Sequence, residues 1–436
     1  MSDTIKNQQK ILAKLGIEKL NPMQEEALAT IHTKADVVLL SPTGTGKTLA
    51  FLLPIIASLD ANCAEVQVLI LVPSRELALQ IEQVTRSMGS GFKTNAVYGG
   101  RAGFEDKIDL KHRPAILIGT PGRIADHLRK DRFATNCIQT LVLDEFDKSL
   151  EIGFETEMKE IVAALPNLKK RILTSATQGL EIPDFVGMKH TVYIDYLHQS
   201  NAQLTIKTII SPSKNKLETL VQTLCHLGNQ PGIVFCNFKE TIQEVSEYLQ
   251  QNHIRHECFY GGMEQNDREL ALVKFRNGTH QLLIATDLAA RGIDIPELKF
   301  IIHYQLPNRN EEFTHRNGRT ARMNSDGTAY ILKWEKENLP PFINEPNEET
   351  LMLAGNPKPS NIATLYITGG RRDKISKGDI AGLFLKQGKL SMEELGLIEI
   401  KQDCSFVAVP SSRVNELIEL TNNSKLKTKK VRVSEI

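Results

Sequence analysis

No apolar run in these 436 residues approaches the roughly 18 consecutive residues that suggest a membrane span. The first ten residues, MSDTIKNQQK, have no apolar core of a signal peptide. Both absences argue against a membrane or exported protein, and a cytoplasmic location is expected. The six cysteines, at positions 63, 137, 225, 236, 258 and 404, include no C-x-x-C pair. Buried reduced thiols are therefore expected, rather than a disulfide framework or a metal cluster. Net charge is almost absent too, at +1, but it is unevenly spread. Residues 361–436 carry 13 Lys/Arg against 9 Asp/Glu, a net +4 that leaves −3 for the first 360 residues. The length points to about three domains, and 41% hydrophobic with 24% charged residues describes a soluble globular chain.

The most informative stretch is Val37 to Thr48, V-V-L-L-S-P-T-G-T-G-K-T. A short apolar run feeds a loop of small residues, and Leu49 to Leu59 then reads as an apolar helix. Thr43, Gly44, Thr45 and Gly46 suit a phosphate cradle, because glycine lets the backbone turn its N–H groups inward and the helix N-terminus favours negative charge. Lys47 then reaches the β- and γ-phosphates, and the Thr48 hydroxyl is placed to ligate Mg2+. A chance glycine-rich loop is the plainer reading, and the strand and helix flanks weigh against it.

Short β-branched runs alternate with helical patterns from residue 37 onward. Candidate strands are 66–72, 94–97, 115–119, 141–143 and 171–173; after a polar stretch at 196–203 they resume at 232–237, 258–260, 281–285, 300–304 and 327–332. Such alternation predicts βαβ units and parallel sheets. The predicted division is 1–200, 204–343, a Pro- and Asn-containing linker at 344–360, and a small unit at 361–436. At the end of a candidate strand, Asp144 and Glu145 stand together, where a doubly wound sheet binds its ligands. Asp144 is assigned to Mg2+, through water, and Glu145 to the attacking water.

Ser41-Pro-Thr-Gly-Thr-Gly-Lys-Thr48, Pro73-Ser-Arg-Glu-Leu-Ala78, Thr120-Pro-Gly-Arg123, Asp144-Glu-Phe-Asp147 and Ser175-Ala-Thr177 resemble, in order, the motif set of DEAD-box RNA helicases. Phe146 stands where that family has Ala, a position the chemistry does not need. Leu20-Asn-Pro-Met-Gln24 is similar to the motif whose Gln amide reads the adenine edge, since an amide offers both donor and acceptor; Gln24 as a helix cap is the alternative. Ala285 to Asp294 and His315 to Arg322 resemble the paired motifs of the second helicase domain, with Asn317 and Ala321 departing from the usual Ile and Gly.

The resemblance implies two tandem RecA-like α/β domains that hydrolyse ATP with Mg2+ and close over RNA. It implies that Arg319 and Arg322 reach the γ-phosphate and that Asp294 accepts from the ribose. Arg75, Gly100, Thr120, Arg123, Gln265, Arg268, Thr286 and Gly292 would face RNA; for Arg268, pairing with Asp267 or Glu264 is an equal alternative. Ser175, Thr177, Asp147 and His315 would couple nucleotide state to unwinding, with the two hydroxyls bonding the 144–147 carboxylates. The four basic or potentially basic residues His315, Arg316, Arg319 and Arg322 are read as needing an anion.

Residues 361–436 parse as strand 363–368, helix 377–385, strand 397–401, strand 405–409, helix 413–420 and strand 430–433, the order of an RRM. Tyr366 and Phe406 fall on its central strands as candidate stacking aromatics, or the sheet is only a scaffold. A basic loop containing Arg371, Arg372 and Lys374 and a tail at 425–432 with five basic residues and no acid suit phosphate. The segment resembles the RNA-binding domain of DbpA-type helicases, which implies a hairpin of large-subunit ribosomal RNA, pre-ribosomal particles as partners, and a monomer. Two rival readings are an RNA clamp with little unwinding and a DNA-directed ATPase of the same superfamily.

Overall fold

The computed structural model describes residues 2–100, 106–108, 110–177, 181–197, 204–287, 298–320, 326–344, 346–352 and 354–436. Seven strands form the first sheet: β1 (Asp36–Leu40), β2 (Val68–Leu71), β3 (Thr94–Val97), β4 (Ile116–Gly119), β5 (Thr140–Leu143), β6 (Lys170–Ser175) and β7 (Thr191–Asp195). All pair in parallel, in the order β3-β4-β2-β5-β6-β1-β7. Val37, Leu39, Val68 and Ile70 enter one hydrophobic core while Val38, Leu40, Leu69 and Leu71 enter another. Helices cover both faces, so the strands are apolar without alternation. Each such Val, Leu or Ile contributes about 1.5–3 kcal/mol by leaving water. The sequence pattern does not single out β7, T-V-Y-I-D, since only Ile194 in it is fully buried.

The second sheet comprises β8 (Leu204–Ser211), β9 (Gly232–Phe235), β10 (Glu257–Phe259), β11 (Leu282–Ala285), β12 (Phe300–His303), β13 (Gly327–Trp334) and β14 (Asn347–Glu348). These strands run parallel in the order β10-β11-β9-β12-β13-β8-β14. Its outermost strand corrects the linker reading of 344–360. Asn347 and Glu348 pair with β8, and Glu349 bonds Lys207 Nζ at 2.6 Å, so backbone pairing and an ion pair fix the first part of that stretch to the domain.

The C-terminal sheet is antiparallel, in the order β16-β17-β15-β20, from β15 (Ile362–Ile367), β16 (Ile398–Ile400), β17 (Ser405–Pro410) and β20 (Val433–Glu435). The expected strand at 430–433 is displaced. Lys425–Leu426 (β18) and Lys429–Lys430 (β19) form a hairpin turning at Lys427 (φ +55°), and the last sheet strand begins only at Val433. Contacts divide the chain into two compact units, the second of which contains both β8–β14 and this C-terminal domain.

Within that second unit the C-terminal sheet has two covered faces. Ala363, Leu365, Ile367, Val407 and Val409 pack on the domain's own helices. Thr364, with no exposed surface, accepts from Asn277 Nδ2 at 3.0 Å and lies 2.7 Å from the Thr279 hydroxyl. Arg276 forks onto Glu399 at 2.6 and 2.9 Å, and Lys401 reaches Glu269 at 3.4 Å. The helix Gln265–Arg276 and the turn after it are thus bolted to this face. Tyr366 and Phe406 form an edge-on pair with centroids 5.6 Å apart, and Phe406 is buried. Of the two candidate stacking rings, Phe406 is thus occupied in packing, while Tyr366 is half-buried beside it.

Candidate active site and nucleic-acid interface

At the C-terminal end of β1 the chain enters the phosphate loop. Gly44 (φ +82°) and Gly46 (φ +86°) hold left-handed conformations that a side chain disfavours, and Gly46 caps the helix Lys47–Ala57. A β-carbon on Gly46 would also strike the Gln24 amide. The loop is braced from within: the Ser41 and Thr45 hydroxyls lie 2.8 Å apart, and Lys47 Nζ donates to the Ser41 and Pro42 carbonyls at 2.6 and 2.8 Å. Buried Lys47 thus holds its charge on loop carbonyls. Thr43 and Thr48 are half-buried beside it.

Gln24 serves the helix and the loop together. It forms a capping box with Asn21 at 2.9 and 3.1 Å, while its Nε2 donates to Gly46 O at 3.3 Å. The capping reading of this residue is thus what the structure shows, and the helix Pro22–Thr33 begins against the phosphate loop.

β5 ends at Leu143, and Asp144 follows with 3% exposure. Burial pushes its carboxyl above the ordinary range, opposed by the Thr174 hydroxyl and the Lys47 ammonium. Glu145 takes a left-handed conformation (φ +48°) that starts the helix Phe146–Glu151. Phe146 is completely buried in the core below, so the bulk added there is absorbed by packing. On the neighbouring β6, Thr174 donates to Asp144 Oδ1 and accepts from Glu145 N–H at 3.1 Å. Thr177 donates to Asp147 Oδ2 at 3.0 Å, whereas Ser175 bonds Thr177 at 3.1 Å. The expectation for Ser175 is corrected: its hydroxyl turns to the loop it begins. Thr174, which sequence reasoning passed over, makes the bond to Asp144; its adjacency to Ser175-Ala-Thr177 on a strand was the available signal.

Among the described residues no group of three or more His, Cys, Asp or Glu gathers that could hold a metal alone. Mg2+ in nucleotide sites keeps several waters and takes one or two carboxylates plus substrate phosphates. Asp144, buried near Lys47, and Thr48 are the donors present for it.

Arg75 begins the helix Arg75–Met88 and its guanidinium lies against Gly100, where a β-carbon would fall 2.9 Å from Cζ. Thr120 precedes the helix Pro121–Arg129 and is buried. Arg123 is more committed than the sequence suggests. Its Nε donates to fully buried Asp106 at 2.7 Å, and His127 lies 3.0 Å from the same oxygen. Despite burial, which works the other way, the His127 and Arg123 hydrogen bonds hold the Asp106 carboxyl below its ordinary range. Arg123 is therefore an anchor of its loop before it can be anything else.

In the second unit the arginine cluster is not simply waiting for an anion. Arg316, 1% exposed, forks onto Asp287, with Nε–Oδ1 at 2.7 Å, and also donates to Gln305 O at 2.6 Å and Asn237 Oδ1 at 2.7 Å. Asp287 supplies the negative charge that the sequence reading sought in a ligand. Asn317 is matched by His303, which donates from Nε2 to Asn317 Oδ1 at 3.0 Å; burial and the Arg316 charge push its pKa down to about 3. His315 and Arg319 are buried on the same segment. Arg268 donates to Tyr260 O at 3.3 Å and lies 4.5 Å over the Phe259 ring, and Gln265 bonds Glu269 at 3.1 Å. Thr286 follows β11, its N–H on Phe259 O at 3.3 Å. Gly292, Asp294, Ala321 and Arg322 lie outside the described residues.

On the C-terminal domain, Arg371 and Arg372 form a single helical turn and Lys374 (φ +58°) ends it. Lys429 bonds Asp373 at 2.8 Å and Lys427 bonds Asp379 at 2.9 Å, tying hairpin to loop. Arg372, Lys374, Lys425, Lys427, Lys430 and Arg432 remain exposed on these segments. The six cysteines are all free thiols, but only Cys236 is buried; the other five are half-buried.

Family models match three consecutive segments: the DEAD/DEAH box helicase over 21–185, the helicase conserved C-terminal domain over 215–324 and the DbpA RNA binding domain over 364–435. The chain is 32% identical to the ATP-dependent RNA helicase DbpA of Escherichia coli (strain K12), covering 97% of this chain and 95% of that one. Its counterpart in Bacillus subtilis (strain 168) is 29% identical, over 96% and 95%. A solved structure of Mss116p, with a double deletion and bound to ssRNA and AMP-PNP, is similar at 25% identity with a TM-score of 0.69, covering 80% of this chain and 78% of that one. With its motifs set on the strand ends of two parallel sheets and an RNA-binding domain following them in sequence, this chain belongs to the DEAD-box ATP-dependent RNA helicases of the DbpA type.

Proposed function

We propose that this helicase remodels structured ribosomal RNA during large-subunit assembly, in the cytoplasm, addressed by its C-terminal domain. The observation that carries the address is the division of labour on that domain. Thr364 and Glu399 on its sheet are held by Asn277 and Arg276, and Phe406 is buried against Tyr366, while the loop at 370–374 and the hairpin at 425–430 keep exposed cations. Cations on a rigid loop and hairpin suit the phosphates of a folded RNA element better than unstacked single-strand bases.

In this reading the phosphate loop binds ATP through backbone N–H groups, and Lys47 exchanges its loop carbonyls for phosphate oxygens. Asp144 and Thr48 would hold Mg2+, which neutralises phosphate charge when bound. Glu145 orients the attacking water, and Gln24 selects adenine. Arg319 and Arg322 stabilise charge on the transferred group, an effect worth about 10³–10⁵ in rate for such arginines. Thr177, through Asp147, carries the nucleotide state toward the RNA-facing loops that hold Arg75, Gly100 and Thr120.

Lys47→Ala and Glu145→Gln are each expected to abolish turnover, with Glu145→Gln keeping ATP-dependent RNA binding; normal turnover in either would refute the site. The address is tested by Arg371→Glu/Arg372→Glu/Lys374→Glu in the full chain, followed by sequencing of crosslinked RNA. Loss of enrichment for one ribosomal hairpin, with ATPase on generic RNA retained, is the expected result, and unchanged enrichment would sink it. Removing residues 361–436 is a poorer test, because it strips Asn277 and Arg276 of their partners.

A further inference from the structure

Thr174 stands one residue ahead of Ser175-Ala-Thr177, on the last turn of the pleat of β6, with no exposed surface. β6 lies between β5, which delivers Asp144, and β1, which delivers the phosphate loop. A threonine hydroxyl has one proton to give and lone pairs to receive. Here the proton goes to Asp144 Oδ1, and Glu145 N–H donates to the Thr174 hydroxyl oxygen itself at 3.1 Å. One buried atom thus holds the side chain of the first carboxylate residue and the backbone of the second.

Two features make that bridge matter. Glu145 is in a left-handed conformation, uncommon for a residue with a β-carbon, and the Thr174 bond to its N–H helps fix the peptide on which this geometry depends. Asp144 has one carboxylate oxygen occupied by Thr174, which sets its rotation and leaves the other oxygen to act. We propose that Thr174 is a positioning residue for ATP hydrolysis, its hydroxyl setting the mutual orientation of Asp144 and Glu145 so that a metal-bound phosphate and the attacking water are served together. The proposal rests on the roles given above to these two carboxylates.

The test is an isosteric pair in the full-length protein. Thr174→Val keeps the shape and removes the hydroxyl; Thr174→Ser restores the hydroxyl on a smaller side chain. For Thr174→Val the expected result is a ten- to hundred-fold fall in kcat for RNA-stimulated ATP hydrolysis, with KM for ATP within about twofold, since the Lys47 cradle is untouched. Titration of a fluorescent ADP analogue should show unchanged affinity without Mg2+ and a several-fold weaker response to added Mg2+. Thr174→Ser should recover most of kcat. Unchanged kcat in Thr174→Val overturns the proposal. So does a loss of metal-free nucleotide affinity and melting temperature in step with kcat, which marks a structural role, and so does failure of Thr174→Ser to recover activity. Glu145→Gln run alongside separates the two ideas: if it turns over normally the site assignment itself fails, whereas a dead Glu145→Gln with an active Thr174→Val overturns only the role of Thr174.

Discussion

The two parallel sheets present their motifs at the same strand ends but hold them by different chemistry. In the first, the hydroxyls of Ser41, Thr45, Thr174, Ser175 and Thr177 brace the loop and the carboxylates, with the Lys47 ammonium on two loop carbonyls. In the second, a buried guanidinium does the bracing, Arg316 binding Asp287, Gln305 and Asn237 at once. A hydrogen bond nets about 1 kcal/mol, or about 1.5–3 when one partner is charged, whereas breaking a buried ion pair costs about 3–5 kcal/mol. The first sheet is therefore built to trade partners as a nucleotide comes and goes, and the second to hold its arginine-bearing segment still.

The largest test of that contrast is Arg316→Ala, which should destabilise the second sheet by about 3–5 kcal/mol, read as faster amide exchange over 232–334; a loss below about 1 kcal/mol would erase the distinction between a fixed and an exchangeable brace. Close behind is Phe146→Ala in the first sheet, expected to cost about 3 kcal/mol or more through the cavity it leaves. Measured by urea denaturation, a small change there would mean that the site floor collapses easily and that Phe146 is not the anchor its burial implies.

His303 supplies a pH test on the second sheet alone. Its folded pKa of about 3 lies below its ordinary 6.5, so the unfolded chain binds the extra proton. This contribution is fully present above pH 6.5 and is lost at about 1.4 kcal/mol per pH unit as the pH falls toward the folded value. His303→Gln should flatten that acid-side slope, and an unchanged slope would show that His303 does not set it. The smallest effect is expected from Thr177→Val, about 1.5–3 kcal/mol in stability for a hydroxyl bonded to a carboxylate. Its signature is functional: ATPase retained, with fewer duplexes separated per ATP hydrolysed, and undiminished unwinding would remove Thr177 from the coupling path.

Much of the first site was legible because its parts are local. Val37 to Thr48 carries strand, loop and helix in twelve consecutive residues, and Asp144 and Glu145 follow an apolar run directly. The unread parts depend on neighbours distant in sequence. Thr174 looks like any strand residue until β5 is laid beside β6, and Arg316 looks like an anion seeker until Asp287 is brought to it from 29 residues away. Arg123 likewise finds Asp106 only through folding. On the C-terminal domain the strand order was readable from periodicity, yet nothing in Thr364 or Phe406 announces that each is buried.

What the sequence determined by itself was every feature set by covalent neighbours: apolar runs buried on both faces, glycines where the phosphate loop must turn left-handed, and carboxylates placed at a strand end. Tertiary structure alone decided which charges are already paired and which faces are already occupied. Arg276 meets Glu399 across 123 residues, and Asn277 meets Thr364 across 87. Backbone geometry acts over a few residues, whereas ion pairing and burial depend on whichever groups the completed fold brings within a few ångströms.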